Sequence, residues 1–397
     1  MTGVTLPAVW AWALAPLAPP HEPRETAFQK VRLIGRDDVL REAAAAFRAY
    51  GGWASAIEPA PPPLCERHRV VLAGTLDQLD RFTTRVDGAV GRALRDTLAR
   101  VSAPLPAVRF GAHAFDFSAR IYIAGILNNT PDSFYDRGRF FGMDAALARA
   151  DEIVREGADL IEVGGESAQQ GDPLDSREEI RRVVPLVREL SRRYPLPVAV
   201  DTYKADVARA AIDAGAVLIN DISGASDPQM AEVVRTGEAG LVVMHLHGRP
   251  KQHYEDVPAP SMMDWVAAFL VERIDALAAA GVPRERLLVD PGLNFGKHPA
   301  RDLELMRRLP ELRCLGCPIF VATSRKDYIR DLLHLHPEDL LEGTAAAVAF
   351  AAAQGANMLR VHDVQAMVRV ARMMEFFLGH RTVPLPEEAG QRGQAGH

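Results

Sequence analysis

The chain has 397 residues, 48% hydrophobic and 25% charged, the composition of an ordinary globular protein with room for two domains. Its 46 basic and 52 acidic residues leave no basic excess for a nucleic-acid backbone and no Lys/Arg block that would mark a membrane surface. Three cysteines, Cys65, Cys314 and Cys317, are too few for a disulfide framework and favour a reducing, cytoplasmic setting.

Residues 1–26, rich in Ala, Pro and Trp, give no firm period. The apolar stretch from Val4 to Leu17 is too short to span a bilayer and lacks the basic residues of a secretory leader, so no signal peptide is expected. A small α/β unit follows: strand Lys30–Ile34, helix Asp37–Tyr50, strand Trp53–Ile57, a Pro-rich turn, strand Arg69–Leu72, and a helix from Leu76 to Val101 with a break at Gly88. Gly74-Thr75 reads as a turn and helix cap rather than an anion site. Pro104 to Pro106 mark a linker, which sets an N-terminal α/β domain at 1–118, a second domain at 119–380 and a disordered tail at 381–397.

The second domain alternates short apolar runs with amphipathic ones. Strands are expected at Ile121–Leu127, Asp159–Val163, Pro197–Val200, Val217–Ile219, Leu241–Met244, Leu287–Val289, Ile319–Ala322 and Asn357–Val361, each followed by a helical segment. The penultimate helical stretch, from Asp327 to Ala353, contains breaks. Eight such units predict a (β/α)8 TIM barrel. An open doubly wound sheet is the rival, but the single Gly-rich loop after its first strand is missing.

Polar residues recur at nearly every strand end: Asn128, Glu166-Ser167, Asp201, Asn220-Asp221, His245, Asp290, Ser324-Arg325-Lys326, and Arg360 with His362. Barrel closure brings all these ends to one face. Asp201, Asn220, Asp290 and Lys326 suit a flat nitrogen-rich heterocycle: the carboxylates accept from its amino and ring N–H groups, while Asn220 and Lys326 serve its ring acceptors and carbonyl. Asn128, Arg360 and His362 suit a phosphorylated group, and the Asn128 amide oxygen suits a hard cation such as Mg2+. Rim ion pairs would explain the charged members without explaining why Asn128 and Asn220 sit in phase with them. Cys314-Leu-Gly-Cys317 has CxxC spacing, yet no further Cys or His at matching spacing supports zinc, and the pair reads as small residues before a strand.

The ordered motifs GILNNTPDSF (125–134), EVGGES (162–167), VDTYKADVARAA (200–211), NDISG (220–224), MHLHGRP (244–250), DPGLNFGK (290–297), SRK (324–326) and RVHDV (360–364) resemble those of dihydropteroate synthases. The resemblance implies a pterin-binding barrel that joins a pterin hydroxymethyl pyrophosphate to p-aminobenzoate or a related aromatic amine, with Mg2+ assisting. It implies pterin contacts from Asp201, Asn220, Met244, Asp290, Phe295, Lys326 and Arg360. Pyrophosphate contacts fall to Asn128, Arg360 and His362, the metal contact to Asn128, and catalytic roles to Arg360, His362 and Lys326. An aromatic amine is neutral at pH 7, so no nucleophilic residue is needed, and Ser133, Ser167 and Ser324 read as hydrogen-bonding residues.

Three departures bear on the acceptor. Ala168-Gln169-Gln170 stand where the family has Thr-Arg-Pro, Asn129 and Asn294 replace a usual Val and Gly, and Asp327 replaces a frequent Ser. Arg137 and Arg139 could restore positive charge. The alternatives are a pterin-dependent methyltransferase on the same barrel and a pterin-binding protein without turnover; the resemblance also admits a homodimer.

Overall fold

The computed structural model describes residues 9–14, 28–60, 67–86, 88–130, 142–167, 171–252 and 261–382. Arg137, Arg139, Ala168-Gln169-Gln170, Ser133, Cys65 and the tail beyond residue 382 lie outside them.

The N-terminal part is an antiparallel sheet of β1 (Val9–Leu14), β2 (Phe28–Gly35), β3 (Trp53–Ala54), β4 (Glu58–Pro59) and β5 (His68–Thr75), in the order β1-β2-β5-β3 with β4 also on β5. Helices α1 (Asp37–Ala49), α2 (Leu76–Thr83) and α3 (Gly88–Ser102) bury Phe47, Phe82 and Leu94 against it. The expected helix break falls at Gly88, whose φ of 76° is a left-handed conformation open to glycine. Thr75 and Gln78 form a reciprocal capping box on α2, which assigns Gly74-Thr75 to a turn and the start of that helix. Of the expected strand Trp53–Ile57 only Trp53–Ala54 pairs, as β3, and β4 lies just beyond its end.

A hairpin of β6 (Val108–Phe110) and β7 (His113–Phe115) precedes the barrel. Its Phe110 and Phe115, with Phe117, form an aromatic cluster against Tyr122 and pack into one end of the barrel with Ala124, Leu160, Ala199, Leu218, Val242, Leu288, Phe320 and Met358. Residues 108–117 thus share the barrel's interior, on its side of Pro104–Pro106. The N-terminal sheet is also seated on the barrel's flank: Trp12 donates from Nε1 to Glu311 at 2.8 Å, the Ala13 N–H donates to Cys314 Sγ at 3.1 Å, and Arg32 pairs with Asp264.

The barrel strands are β8 (Tyr122–Asn128), β9 (Leu160–Gly164), β10 (Val198–Asp201), β11 (Leu218–Asp221), β12 (Gly240–Met244), β13 (Leu287–Asp290), β14 (Phe320–Val321) and β15 (Met358–Val361). All pair in parallel in the order β13-β12-β11-β10-β9-β8-β15-β14, and a bridge between Val289 and Ile319 closes the ring. Helices α4 (Met143–Arg155), α5 (Ser176–Arg193), α6 (Ala205–Asp213), α7 (Met230–Thr236), α8 (Met262–Ala279), α9 (Pro299–Arg308), α10 (Asp327–Leu333), α11 (Leu341–Ala353) and α12 (Val364–Phe377) follow the strands in turn. The fold is a (β/α)8 barrel preceded by a small α/β region.

Strand periodicity positions the site. Two residues beyond the apolar layer formed by Leu160, Ala199, Leu218, Leu288 and Met358, on the same faces of the same strands, stand Glu162, Asp201, Asn220, Asp290 and Arg360. One storey of the barrel is therefore greasy and the next is charged. Cys314 and Cys317 are buried and free, and burial pushes both thiols up to about 12, so neither is poised as a thiolate.

Candidate active site

Arg360 is the hub of the charged layer. Its Nε donates to Glu162 and its Nη2 donates to Asp201 Oδ2 at 2.8 Å, so one guanidinium bridges two carboxylates. Asn220 Nδ2 lies 3.5 and 3.4 Å from the two Glu162 oxygens. Asp290, 2% exposed, accepts from the Gly292 N–H at 2.7 Å through Oδ1. Burial pushes the Asp290 carboxyl up to about 6 against the pull of that N–H and of Lys326. Burial pushes Asp201 upward too, to about 7, although Arg360 opposes it.

An apolar wall stands beside these groups. Met244 packs with Ile222 and Leu246, and Phe295 and Tyr203 lie against them. Lys326 carries its Nζ 4.7 Å from the centre of the Phe295 ring, a cation–π contact, and burial lowers its pKa. The loop bearing Phe295 is pinned by Lys297, whose Nζ donates to the carbonyls of Gly292 at 2.7 Å, Phe295 at 3.0 Å and His245 at 3.4 Å. Gly292 is required there: at φ 70°, an added Cβ would come within 2.0 Å of the His245 carbonyl oxygen.

Just beyond β15, His362 Nδ1 lies 3.1 Å from Ser324 Oγ, and the His362 N–H donates to the same oxygen. Burial, then the charges of Arg360, Arg325 and Lys326, hold this imidazole's pKa well below the usual range, so it is neutral at pH 7. Asn128 ends β8 with Oδ1 3.0 Å from where a Cβ on Gly164 would stand, so the neighbouring glycine makes room for the amide. Among the described residues no three His, Cys, Asp or Glu side chains are grouped to hold a metal ion. The Asn128 amide, a hard oxygen donor, fits an ion that takes its remaining ligands from water and phosphate.

Residues 124–362 match the family model for pterin binding enzymes. The dihydropteroate synthase of Bacillus subtilis is 39% identical over 267 residues, covering 67% of this chain and 91% of that protein. The chain belongs to the dihydropteroate synthase family. A relative from Mycobacterium leprae named inactive dihydropteroate synthase 2 is 42% identical over 268 residues, covering 66% of this chain and 92% of that protein. The solved structure of the Xanthomonas albilineans dihydropteroate synthase with 4-aminobenzoic acid superimposes with a TM-score of 0.63 at 38% identity, covering 70% of this chain and 99% of that one.

Within this family frame the strand-end residues divide. Asp201, Asn220, Met244, Asp290, Phe295, Lys326 and Arg360 gather around one mouth, with His362 two residues beyond Arg360. Others serve the scaffold. Glu166 accepts from Lys204 Nζ at 2.7 Å and from the Leu174 N–H at 2.6 Å, closing the loop after β9 onto the start of α6. Arg325 makes a two-pronged pair with Asp363 at 2.7 and 2.9 Å. Asn129, which stands where Val is usual, donates to the Arg182 carbonyl and accepts from the Gly142 N–H. Two departures turn out to be joined: Asn294, at φ 71°, donates from Nδ2 to Asp327 Oδ2 at 2.8 Å.

Glu162 escaped sequence reasoning. It sits inside an apolar strand rather than at its end; its signal is a charge in phase with Leu160.

A ligand that donates N–H groups to Asp290 needs the ionised carboxylate. Pterin affinity is therefore expected to fall as pH drops, first as Asp201 protonates near 7 and more steeply below about 6, by about a further tenfold per unit, as Asp290 protonates. Calorimetric titrations between about pH 5 and 8 with a pterin would show this; an affinity flat across that range would remove Asp290 from the contact.

Proposed function

We propose that the chain acts as a dihydropteroate synthase, joining a dihydropterin hydroxymethyl pyrophosphate to p-aminobenzoate or a related aromatic amine. The observation that carries this is the layer in which Arg360 ties Glu162 and Asp201 together beside Asn220 and Asp290, at the strand ends where barrel enzymes work. Asp201 and Asp290 receive the pterin's amino and ring N–H groups, and Asn220, expected to serve a ring acceptor, joins them because its Nδ2 is turned to Glu162; Lys326 serves the carbonyl, and Met244 and Phe295 wall the ring's faces. The amine nitrogen forms its bond to the pterin methylene as the carbon–oxygen bond to pyrophosphate breaks, and the amine proton leaves to solvent or to the departing anion. No protein base is required, so the residues act on the leaving group: Arg360 and the neutral His362 donate to its oxygens as charge grows there. The Asn128 amide would hold Mg2+, with remaining ligands from water and the substrate's phosphates, and the ion would supply further charge neutralisation.

Pyrophosphate release on mixing the pterin pyrophosphate with p-aminobenzoate tests this reading. Pterin binding without release would make the chain a pterin-binding protein that does not turn over, a reading favoured by the M. leprae relative and by the exchange at residues 168–170. Methyl transfer to the exclusion of release would select the methyltransferase.

Asp327 enters the acceptor question with its charge partly offset. Besides the Asn294 amide, Arg330 pairs with it at 2.8 Å, and its side chain is 41% exposed. Screening of this kind leaves a repulsion of about 1 kcal/mol or less toward an acceptor carboxylate. Asp327→Ser is accordingly expected to change the KM for p-aminobenzoate by about fivefold or less, and a larger fall in steady-state KM would restore Asp327 as a determinant of acceptor choice.

An exposed apolar strip supports a homodimer, and two buried free thiols support a reducing, cytoplasmic setting. Met373, Phe376 and Phe377 on α12 and Phe350 on α11 leave an exposed apolar strip, Phe377 being 70% exposed, which a second copy would cover. Sedimentation at micromolar concentration should give twice the chain mass, and a monomer there would refute the assignment. The buried free thiols suit a reducing compartment, and no described helix is long and apolar enough to cross a membrane.

A further inference from the structure

Glu162 is fully buried, and its carboxylate meets two groups of the proposed site at once. Arg360 reaches it through Nε, while the same guanidinium reaches Asp201 through Nη2 at 2.8 Å. Asn220 turns Nδ2 toward both its oxygens, at 3.5 and 3.4 Å, and leaves its buried Oδ1 without a hydrogen-bond partner. Neutralising Arg360 does not require this arrangement, because Asp201 already pairs with it; two carboxylates on one guanidinium leave an excess of buried negative charge.

The geometry of the amide supplies the reason. An asparagine amide can turn over with little change of shape, so the atom it shows a ligand is decided by fixed neighbours. An ionised carboxylate only accepts. Beside Glu162 the Asn220 amide must keep its NH2 toward β9 and its carbonyl oxygen on the side away from Glu162.

We propose that Glu162 is a positioning residue that sets the polarity of the site, fixing Asn220 as an acceptor for a heterocyclic N–H while holding the Arg360 guanidinium beside Asp201. The site then selects a ligand edge that donates to Asn220, as to Asp201 and Asp290. This rests on the pterin reading given above.

The test is the dissociation constant of 6-hydroxymethylpterin, which lacks the pyrophosphate and so isolates the ring contacts. Glu162→Gln keeps the side-chain volume; its amide oxygen still accepts from Arg360, and its NH2 faces Asn220, which must then turn its oxygen inward and present a donor to the ligand's donor. Affinity is expected to fall about 10- to 100-fold. Adding Asn220→Asp removes the amide that had to turn: one carboxylate oxygen accepts from the new glutamine and the other faces the ligand. The Glu162→Gln/Asn220→Asp pair should regain about tenfold or more of the loss, which a purely structural role for Glu162 would not produce.

A second readout is the acid limb of binding. Asp201 is faced by Arg360, Glu162, Glu179 and Lys326; burial first and then the two glutamates push its carboxyl upward. Glu162→Gln removes one of them, so the limb belonging to Asp201 should move to lower pH. Thermal unfolding checks that the variants fold; if the Gln variant does not, Glu162→Asp keeps the acceptor-only character, and should hold affinity to within about fivefold while Asn220→Ala does not. Binding within twofold of the unmodified chain in folded Glu162→Gln, or equal loss in the single and paired variants, would overturn the proposal. Failure of the unmodified chain to bind the pterin at all would instead overturn the functional reading beneath it.

Discussion

Asp290→Asn is expected to weaken pterin binding by about 2–4 kcal/mol, a loss of roughly 30- to 1000-fold. Asp290 Oδ1 is committed to the Gly292 N–H at 2.7 Å, in a turn that the positive φ of Gly292 and the Lys297 ammonium hold in place. The other oxygen is the one that can serve a ligand. In the Asn variant the single amide oxygen keeps the bond to Gly292, because turning it away would set NH2 against N–H in a buried site. The NH2 group therefore points into the pocket, donor toward donor. The loss has two parts, the missing contact and the unpaired ligand N–H, and the second is what makes the effect large. Calorimetry on the folded variant decides the matter, and unchanged affinity would remove Asp290 from the pterin site.

Much of this site was legible because a barrel writes its active face at regular places in the sequence. Asp201 and Asp290 each follow an apolar run and end a strand, so chain order alone put them on one rim. Where the run itself carried the functional charge, the reading failed: Glu162 lies within Leu160–Gly164, flanked by apolar residues that made the strand obvious and the carboxylate easy to pass over. Other strand-end polar groups were legible as polar but not by role. Arg325 belongs to the same Ser-Arg-Lys motif as Lys326, yet it pairs with Asp363, and its positive φ marks the turn at which the adjacent cations part company.

The fold was missed in the same way where burial hides periodicity. In β1, Ala11, Trp12 and Ala13 are all buried, the first against the N-terminal helices and the others against the barrel, so no alternation remains to be seen. The β6–β7 hairpin has three-residue strands, shorter than any period can announce, and its aromatic residues act only once the barrel exists to receive them. Asn294 and Asp327 are 33 residues apart, and each looked like a separate departure until their hydrogen bond joined them.

Replacing Arg360 by Ala should have the largest effect of any single change in the site. The rate of pyrophosphate release is expected to fall by about 10²-fold or more, since the cation that meets the leaving group's growing charge is gone. Stability should fall as well, by about 3–5 kcal/mol near pH 7, because the substitution strands Glu162 and Asp201 together in a buried layer. The pH dependence separates the two effects. Asp201 already stands near 7 because of burial, and loss of Arg360, which pulls it down, moves it higher still. A carboxyl whose folded-state pKa lies above its unfolded value of about 4 makes the folded state bind more protons in the window between them, so stability declines as pH rises through that window. The deficit of Arg360→Ala relative to the unmodified chain should therefore be smaller at about pH 5 than at about pH 8, when urea unfolding is compared at both. Arg360→Lys should recover part of the stability and little of the rate, since a single ammonium cannot bridge two carboxylates in the fixed fork that a guanidinium offers. Full single-turnover release in the Ala variant would end the leaving-group role. A deficit that grows toward low pH would instead mean that the two carboxylates are stabilised by something other than Arg360.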